Sequence, residues 1–203
     1  MSEIDRVIEG RRGLYALLGT LFLEPPSREL LGDLFDGKKI PFLERLIPVA
    51  KKFHSLDEFE SSVREEFSSL FIDPFGDTVS PYQSTYEGEN PYGKVTQRIV
   101  DKFTDIGYEF RYSEPADHIG IELFFMAESC KNALESGKDE KIKELKNQKK
   151  FIEEELKWIF TFCDRIEGKE KSNFYREISK VLRDFLKNDR ITINELIVSV
   201  LKS

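Results

Sequence analysis

The chain has 203 residues, of which 39% are hydrophobic and 12% aromatic, enough to form a substantial core. We therefore expect one compact domain spanning residues 1–203. The formal charge of −7 and the pI near 5.1 argue against nucleic-acid binding, because phosphate backbones require clustered lysines and arginines. Cys130 and Cys163 form no Cys-x-x-Cys pair, so we expect reduced core residues in a cytoplasmic protein.

The N-terminal segment has two features of an export leader. Arg11 and Arg12 precede the apolar run Gly13–Leu23, as the paired arginines of a twin-arginine leader do. Apolar residues at helical spacing already begin at Ile4, however, and acidic residues precede the arginines, so one amphipathic helix explains the segment better. No apolar run reaches the roughly 18 residues needed to cross a bilayer, so we expect no membrane insertion.

Helical periodicity and capping signals continue along most of the chain. The first predicted helices run from the N-cap Ser27 to about Asp36, from Pro41 to Phe53 with an interruption at Pro48, from the Ser55–Glu58 capping box to about Leu70, and from about Lys94 to Ile106, with Gly107 as a left-handed stop. The later ones run from Asp117 to about Ser136, closed by Gly137, from about Asp139 to Ile166, ended by Gly168, near Ser172–Lys187 and near Thr192–Leu201. We predict an all-α, single-domain bundle of about nine or more helices.

Residues 71–93 interrupt this helical pattern. The segment is rich in proline and glycine, yet it also contains Phe71, Phe75, Tyr82, Tyr86 and Tyr92. Disordered linkers are poor in aromatic residues, so a loop of this composition is expected to be structured and to contribute to function.

The segment Glu114–Met126 holds one of the two histidines and is the strongest candidate for a site. Asp117 is predicted to cap the following helix, because its carboxylate can accept from the free N–H groups of the first turn. His118 and Glu122 lie four residues apart and share one helix face, while apolar neighbours turn toward a core. Two interpretations stay open: a polar binding site at the rim of an apolar surface, or a well-capped buried helix with a satisfied histidine.

The sequence gives little support for an enzyme. It lacks a Gly-x-x-x-x-Gly-Lys phosphate loop, a Gly-x-Gly-x-x-Gly dinucleotide motif and a Gly-x-Ser-x-Gly nucleophile elbow. A metal site built from Asp117, His118 and Glu122 is chemically conceivable, but it lacks the second histidine or cysteine that would make the spacing diagnostic. We therefore expect no catalytic residue, metal or cofactor, and retain a metal-dependent hydrolase only as a remote alternative.

Five motifs occur together and in order along nearly the whole chain. They are Arg12–Leu31 with its Pro-Pro-Ser turn, Glu66–Phe71, Ser80–Tyr86 with a Tyr-x-Ser-x-Tyr pattern, Asp117-His118 followed by Glu122–Met126, and the C-terminal Phe151, Leu156, Trp158, Phe162, Phe174 and Tyr175. In these motifs the chain resembles the TorD/DmsD/NarJ family of cytoplasmic chaperones that mature molybdenum-cofactor oxidoreductases. The resemblance implies an all-helical, TorD-like single domain that occurs as a monomer or a domain-swapped dimer.

The resemblance also implies binding instead of catalysis. Relatives hold the N-terminal leader, often a twin-arginine leader, of an apo molybdopterin-dependent oxidoreductase subunit, and assist its folding and cofactor insertion before export or assembly. A leader offers guanidinium groups and an apolar stretch, so its receptor needs carboxylates or tyrosine oxygens beside a hydrophobic groove. The candidate peptide-binding residues are Phe75, Tyr82, Tyr86, Asp117, His118, Glu122 and Phe125.

Two departures from the family pattern concern this predicted site. Gln83 stands where many relatives have glutamate, and Ala116 replaces a frequent proline, so recognition of paired arginines is expected to be weaker or different. An alternative function is that of an assembly factor for a membrane-bound respiratory reductase without a cleaved leader, of the nitrate-reductase type. If Asp117 binds peptide, Asp117→Ala lowers affinity with little loss of stability; if it only caps a helix, the substitution unfolds the protein.

Overall fold

The computed structural model describes residues 1–108, 113–170 and 172–202. Ten α-helices and no strand are found in these residues, which confirms the all-α prediction. The helices are α1 (Glu3–Leu23), α2 (Arg28–Phe35), α3 (Ile47–Ala50), α4 (Leu56–Phe67), α5 (Gln83–Tyr86), α6 (Lys94–Asp105), α7 (Ile119–Glu135), α8 (Lys138–Glu154), α9 (Trp158–Glu167) and α10 (Phe174–Lys202). None of the helices in the described part of the chain is long and apolar enough to span a bilayer.

The chain divides into two compact units. The first comprises Met1–Leu23, Tyr82–Ile159 and Phe185–Ser203, and the second comprises Glu24–Pro81 and Phe160–Asp184. Cys130 in the first unit and Cys163 in the second are both free and buried, as the sequence predicts. The organisation of the chain as a single domain stays a prediction.

In the first unit, α1 packs closely along α7. At their crossing, a Cβ atom on Gly19 would lie 3.0 Å from the carbonyl oxygen of Gly120, and a Cβ atom on Gly120 would lie 2.9 Å from that of Gly19. These distances leave no room for a side chain on either residue, so glycine allows the two backbones to approach. The contact anchors the first turn of α7, which follows the predicted Asp-His motif.

The two adjacent arginines of α1 have different environments within the first unit. Arg11 is buried, and its guanidinium donates to both carboxylate oxygens of Asp189 on α10 and to the amide oxygen of Gln148 on α8. Arg12 lies at the surface and pairs with Glu9 of the same helix. Both arginines therefore belong to one continuous helix, and the predicted amphipathic helix is confirmed.

In the second unit, the predicted N-caps Ser27 and Ser55 are confirmed. Each hydroxyl accepts from the backbone N–H three residues later, which satisfies a free donor of the first helical turn. The capping box at Ser55 differs in one detail, because Glu58 accepts from the N–H of His54 instead of that of Ser55. Local side-chain chemistry thus sets where α2 and α4 begin.

Three predicted helix boundaries are wrong. The predicted helix over residues 139–166 is two helices, α8 and α9, separated by a turn at residues 155–157. Gly137 caps the start of α8 instead of closing α7, and its φ of −67° is not left-handed. The two predicted C-terminal helices are one 29-residue helix, α10, because buried Ile193, Leu196 and Val200 continue its apolar face without a break.

Candidate functional site

The aromatic segment and the start of α7 meet within the first unit. Tyr82 and His118 form an antiparallel β-bridge, and the N–H of Gln83 donates to the carbonyl oxygen of Asp117 at 2.9 Å. The rings of Tyr82 and His118 pack edge to face, with their centroids 5.2 Å apart. These contacts hold the four-residue helix α5, which carries Tyr86, against the residues that precede α7.

Asp117 is fully buried, and both of its carboxylate oxygens accept hydrogen bonds. Oδ2 accepts from the backbone N–H of Ser84 at 3.0 Å, and Oδ1 accepts from the hydroxyl of Thr96 at 2.7 Å. The predicted role of Asp117 as N-cap of α7 is therefore wrong. The carboxylate instead satisfies a free N–H in the first turn of α5, a helix distant in sequence, and thereby braces the aromatic segment.

His118 takes the capping position of α7, where its Nδ1 accepts from the N–H of Gly120 at 3.1 Å. Burial lowers the pKa of His118 to about 4, although the negative charges of Glu114 and Asp117 oppose this shift. The ring is therefore neutral at pH 7, with its proton on Nε2 because Nδ1 is an acceptor. Within residues 1–108, 113–170 and 172–202, no group of three or more His, Cys, Asp and Glu side chains is arranged to hold a metal ion.

Glu122 lies in the first turn of α7 and is fully buried. Its Oε2 accepts from the indole N–H of Trp158 at 3.0 Å, whereas its Oε1 has no hydrogen-bond partner. Burial raises the pKa of Glu122 well above its usual value, the hydrogen bond from Trp158 lowers it, and the charges of Asp117 and Glu155 raise it further. Burial among acidic side chains therefore favours the neutral form of the Glu122 carboxyl group.

Trp158 links this buried acid to helix α5. Its ring lies 5.0 Å from that of Tyr86, centroid to centroid, while its N–H reaches Glu122. The hydroxyl of Tyr82 donates to Oε2 of Glu114 at 2.8 Å. Burial and this hydrogen bond raise the pKa of Tyr82, so its hydroxyl stays protonated. Both tyrosines are half-buried and present part of their rings at the surface.

An ion-pair network joins α5, α6 and the turn after α8. The side-chain amide of Gln83 donates to Glu87 at 2.8 Å and to Glu155 at 3.1 Å, and Arg98 contacts the same two carboxylates at 2.7 and 3.1 Å. Burial alone would raise the pKa of Glu155, but hydrogen bonds from Lys102 and Gln83 and the nearby positive charges lower it below its usual value. This network holds the residues that separate α8 from α9, a constraint that no local sequence signal encodes.

Two of the predicted groove residues, Phe125 and Phe75, have different surroundings. Phe125 is only 4% exposed, and its ring stacks on Phe103 and packs against Phe151, with centroids 4.4 and 4.6 Å away. It also borders a groove of about 360 Å³ at the surface of α6, α7 and α8. Phe75 belongs to the second unit, where its side chain is 99% exposed.

The predicted set of site residues does not include Glu87, Glu114 or Trp158. Glu87 follows Tyr86 directly, and Glu114 opens the Asp-His segment, so a search for carboxylates beside the predicted residues finds both. Trp158 belongs to the C-terminal motif of the sequence, and it is 7% exposed. Its hydrogen bond to an acid 36 residues away carries no local signal in the sequence.

Comparisons with known proteins identify relatives over most of the chain. A family model described as nitrate reductase delta subunit matches residues 41–164. The chaperone protein TorD of Shewanella pealeana is 22% identical to this chain, and the match covers 92% of this chain and 91% of that protein. The chaperone protein TorD of Vibrio parahaemolyticus is 23% identical, and the match covers 93% of this chain and 97% of that protein. A solved structure from Archaeoglobus fulgidus, described as a redox enzyme maturation protein, is 24% identical, with a TM-score of 0.57 over 87% of this chain and 93% of that one, which shows a common fold.

Proposed function

The chain belongs to the nitrate reductase delta subunit family, and we propose that it is a cytoplasmic chaperone for a molybdopterin-dependent oxidoreductase subunit. In this proposal it binds the N-terminal leader of the apo subunit and assists folding and cofactor insertion before export or assembly. The similar curated proteins are named as chaperones and not as catalysts, which supports a binding function. The working form is a monomer or a domain-swapped dimer.

The observation that carries the leader-binding proposal is the bridge between Tyr82 and His118, which fixes α5 next to the start of α7. We call the surface formed by Tyr82, Tyr86, Glu87 and Glu114 the tyrosine face. It combines partly exposed aromatic rings with carboxylates at or near the surface. A leader arginine can pair with such carboxylates and stack on such rings, so the chemistry of the face suits a cationic and apolar peptide.

The other predicted site residues have supporting or separate roles in this proposal. Asp117 and His118 hold α5 and α7 in place through their buried hydrogen bonds, and Glu122 lies behind the face. Phe125 contributes an edge of the groove on α6, α7 and α8 to the apolar part of a client. Phe75 offers an exposed ring on the second unit, which we propose as an independent apolar contact.

Calorimetric titration with the leader peptide of an oxidoreductase from the same genome tests the proposal. We expect saturable binding, and we expect Glu87→Gln or Glu114→Gln to weaken it by up to about fivefold, because an exposed ion pair contributes at most about 1 kcal/mol. A matched control is Glu153→Gln on α8, whose half-exposed carboxylate is near Lys149 and outside the tyrosine face. The proposal is wrong if no leader from that genome binds, or if the control weakens binding as much as the site variants do.

The nitrate-reductase type of assembly factor is a second candidate, because the matching family model carries that description. Such a factor grips an internal or remnant leader of a catalytic subunit that is not exported. Co-purification with a catalytic subunit lacking an export leader supports this candidate. Loss of co-purification when an export leader is deleted from the client supports the first one.

A further inference from the structure

Three side chains behind the tyrosine face carry buried polar atoms without hydrogen-bond partners. The atoms are Oε1 of Gln83, the hydroxyl of Ser84 and Oε1 of Glu122, and all three residues are at most 1% exposed. Buried polar atoms are nearly always paired in folded proteins, so a group of unpaired ones indicates an unfulfilled interaction. Because Oε2 of Glu122 accepts from Trp158, the proton of the neutral acid lies on Oε1, where it has no acceptor.

The charges that face Glu122 are mostly negative. Asp117 before α7, Glu87 after α5 and Glu155 after α8 all disfavour its ionisation. Helix α1, which crosses α7 at the start of that helix, carries no charged side chain between Gly13 and Leu23. Glu122 is therefore surrounded by acids and buried, and both conditions keep a proton on its carboxyl group.

The two cations that contact carboxylates of this cluster are each shared between two acidic side chains. Arg98 on α6 contacts Glu87 and Glu155, and Lys102 on the same helix contacts Glu154 and Glu155. A further cation at the tyrosine face would add positive charge where acids are in excess. It would favour the ionised form of any nearby acid that still holds a proton.

We propose that docking of an arginine-bearing peptide on the tyrosine face is coupled to release of the Glu122 proton. This inference rests on the proposed leader-binding function and assigns its regulation to one buried acid. The O–H bond of the neutral carboxylic acid breaks, the proton passes to solvent buffer, and the carboxylate keeps its hydrogen bond from Trp158. Trp158 transmits the change, because it contacts both Glu122 and Tyr86 of the face.

Other groups of the cluster do not account for such a proton. His118 is already neutral at pH 7, since its pKa is about 4. The Tyr82 hydroxyl has a raised pKa and keeps its proton. Glu144 is another buried acid of the first unit with a raised pKa, but it hydrogen-bonds Ser129 on α7 and has no contact with the face, so Glu144→Gln serves as a matched control.

Calorimetry in phosphate and in Tris at the same pH counts the protons released, because the two buffers differ in ionisation enthalpy. With the wild-type chain and the leader peptide at pH 7.5, we expect net release of at most one proton per peptide, and an affinity that rises with pH by at most about tenfold per pH unit. Glu122→Gln should bind the peptide without proton release, whereas Glu144→Gln should behave as the wild type does. Binding without proton release by the wild type, or equal release by Glu122→Gln, overturns the coupling; absence of binding overturns the proposed function and the coupling with it.

Trp158 provides a second readout, because it is the only tryptophan of the chain. Its fluorescence should show a transition as the pH rises and Glu122 ionises, and a saturating peptide without tryptophan should move the midpoint of that transition to lower pH. The transition should vanish in Glu122→Gln and persist in Glu144→Gln. A midpoint that does not move when peptide is bound contradicts the coupling.

Discussion

The buried pair between Arg11 and Asp189 allows a quantitative test of the structure. Arg11→Met removes a guanidinium that is 4% exposed and leaves the Asp189 carboxylate buried, with a hydroxyl hydrogen bond from Tyr15 at 2.6 Å as a remaining contact. Breaking a buried ion pair on one side costs about 3–5 kcal/mol, because the remaining charge is left uncompensated. We expect the free energy of unfolding, measured by urea denaturation and circular dichroism, to fall by that amount.

A double variant and a neighbouring arginine supply the controls. Arg11→Met combined with Asp189→Asn should regain at least half of the loss, because no unpaired charge stays buried. Arg12→Met removes a surface pair in which both side chains are 42% exposed, so it should cost at most about 1 kcal/mol. Equal losses for the two single arginine variants, or no recovery in the double variant, would refute this reasoning.

Three further predictions concern glycine substitutions, Asp117 and Glu122 in the first unit. In Gly13→Ala the new Cβ atom has free space, so the substitution should stabilise α1 by about 0.5–1 kcal/mol. In Gly19→Ala the new Cβ atom presses on a backbone oxygen of α7, so the substitution should destabilise the protein by about 1–3 kcal/mol. Equal shifts of the melting temperature in the two variants would contradict this. Asp117→Asn should lower the free energy of unfolding by about 1.5–3 kcal/mol through weakened charged hydrogen bonds, and unchanged stability would show that bracing is unimportant. Folding raises the pKa of Glu122, so its contribution to stability is complete below pH 4.5 and is lost as the pH rises through the folded pKa. Glu122→Gln does not titrate, so its free energy of unfolding relative to that of the wild type should be higher at pH 8 than at pH 4. A difference between the two proteins that does not change with pH would contradict this.

Helix starts are largely predictable from the sequence where one short-range hydrogen bond decides them. Ser27 and Ser55 cap α2 and α4 because a hydroxyl reaches an N–H three residues away, whatever the rest of the chain does. The left-handed stop after α6 is equally local, since Gly107 has a φ of +73°.

Distant side chains decide the features that the sequence does not reveal. Asp117 and His118 are both suitable caps for α7, and the choice falls on His118 because Ser84 and Thr96 occupy the Asp117 carboxylate. The break after α8 contains neither glycine nor proline, and Glu155 is instead held by residues of α5 and α6. In both places long-range contacts override local preference.

In the candidate site, the structure brings two of the predicted peptide-binding residues, Tyr82 and His118, into direct contact. Residue types point to binding chemistry, but they do not reveal burial. Asp117 and Glu122 have acidic side chains, but both are fully buried. In our proposal, Glu87 and Glu114 therefore make the direct contacts with a peptide.

Burial of Arg11 has a consequence under the leader-binding proposal. The first helix of this chain itself contains two consecutive arginines followed by an apolar run, which are the features of the proposed ligand. Asp189 sequesters one of the two guanidinium groups inside the first unit. In our proposal, the C-terminal helix therefore keeps half of this arginine pair away from the protein's own binding site.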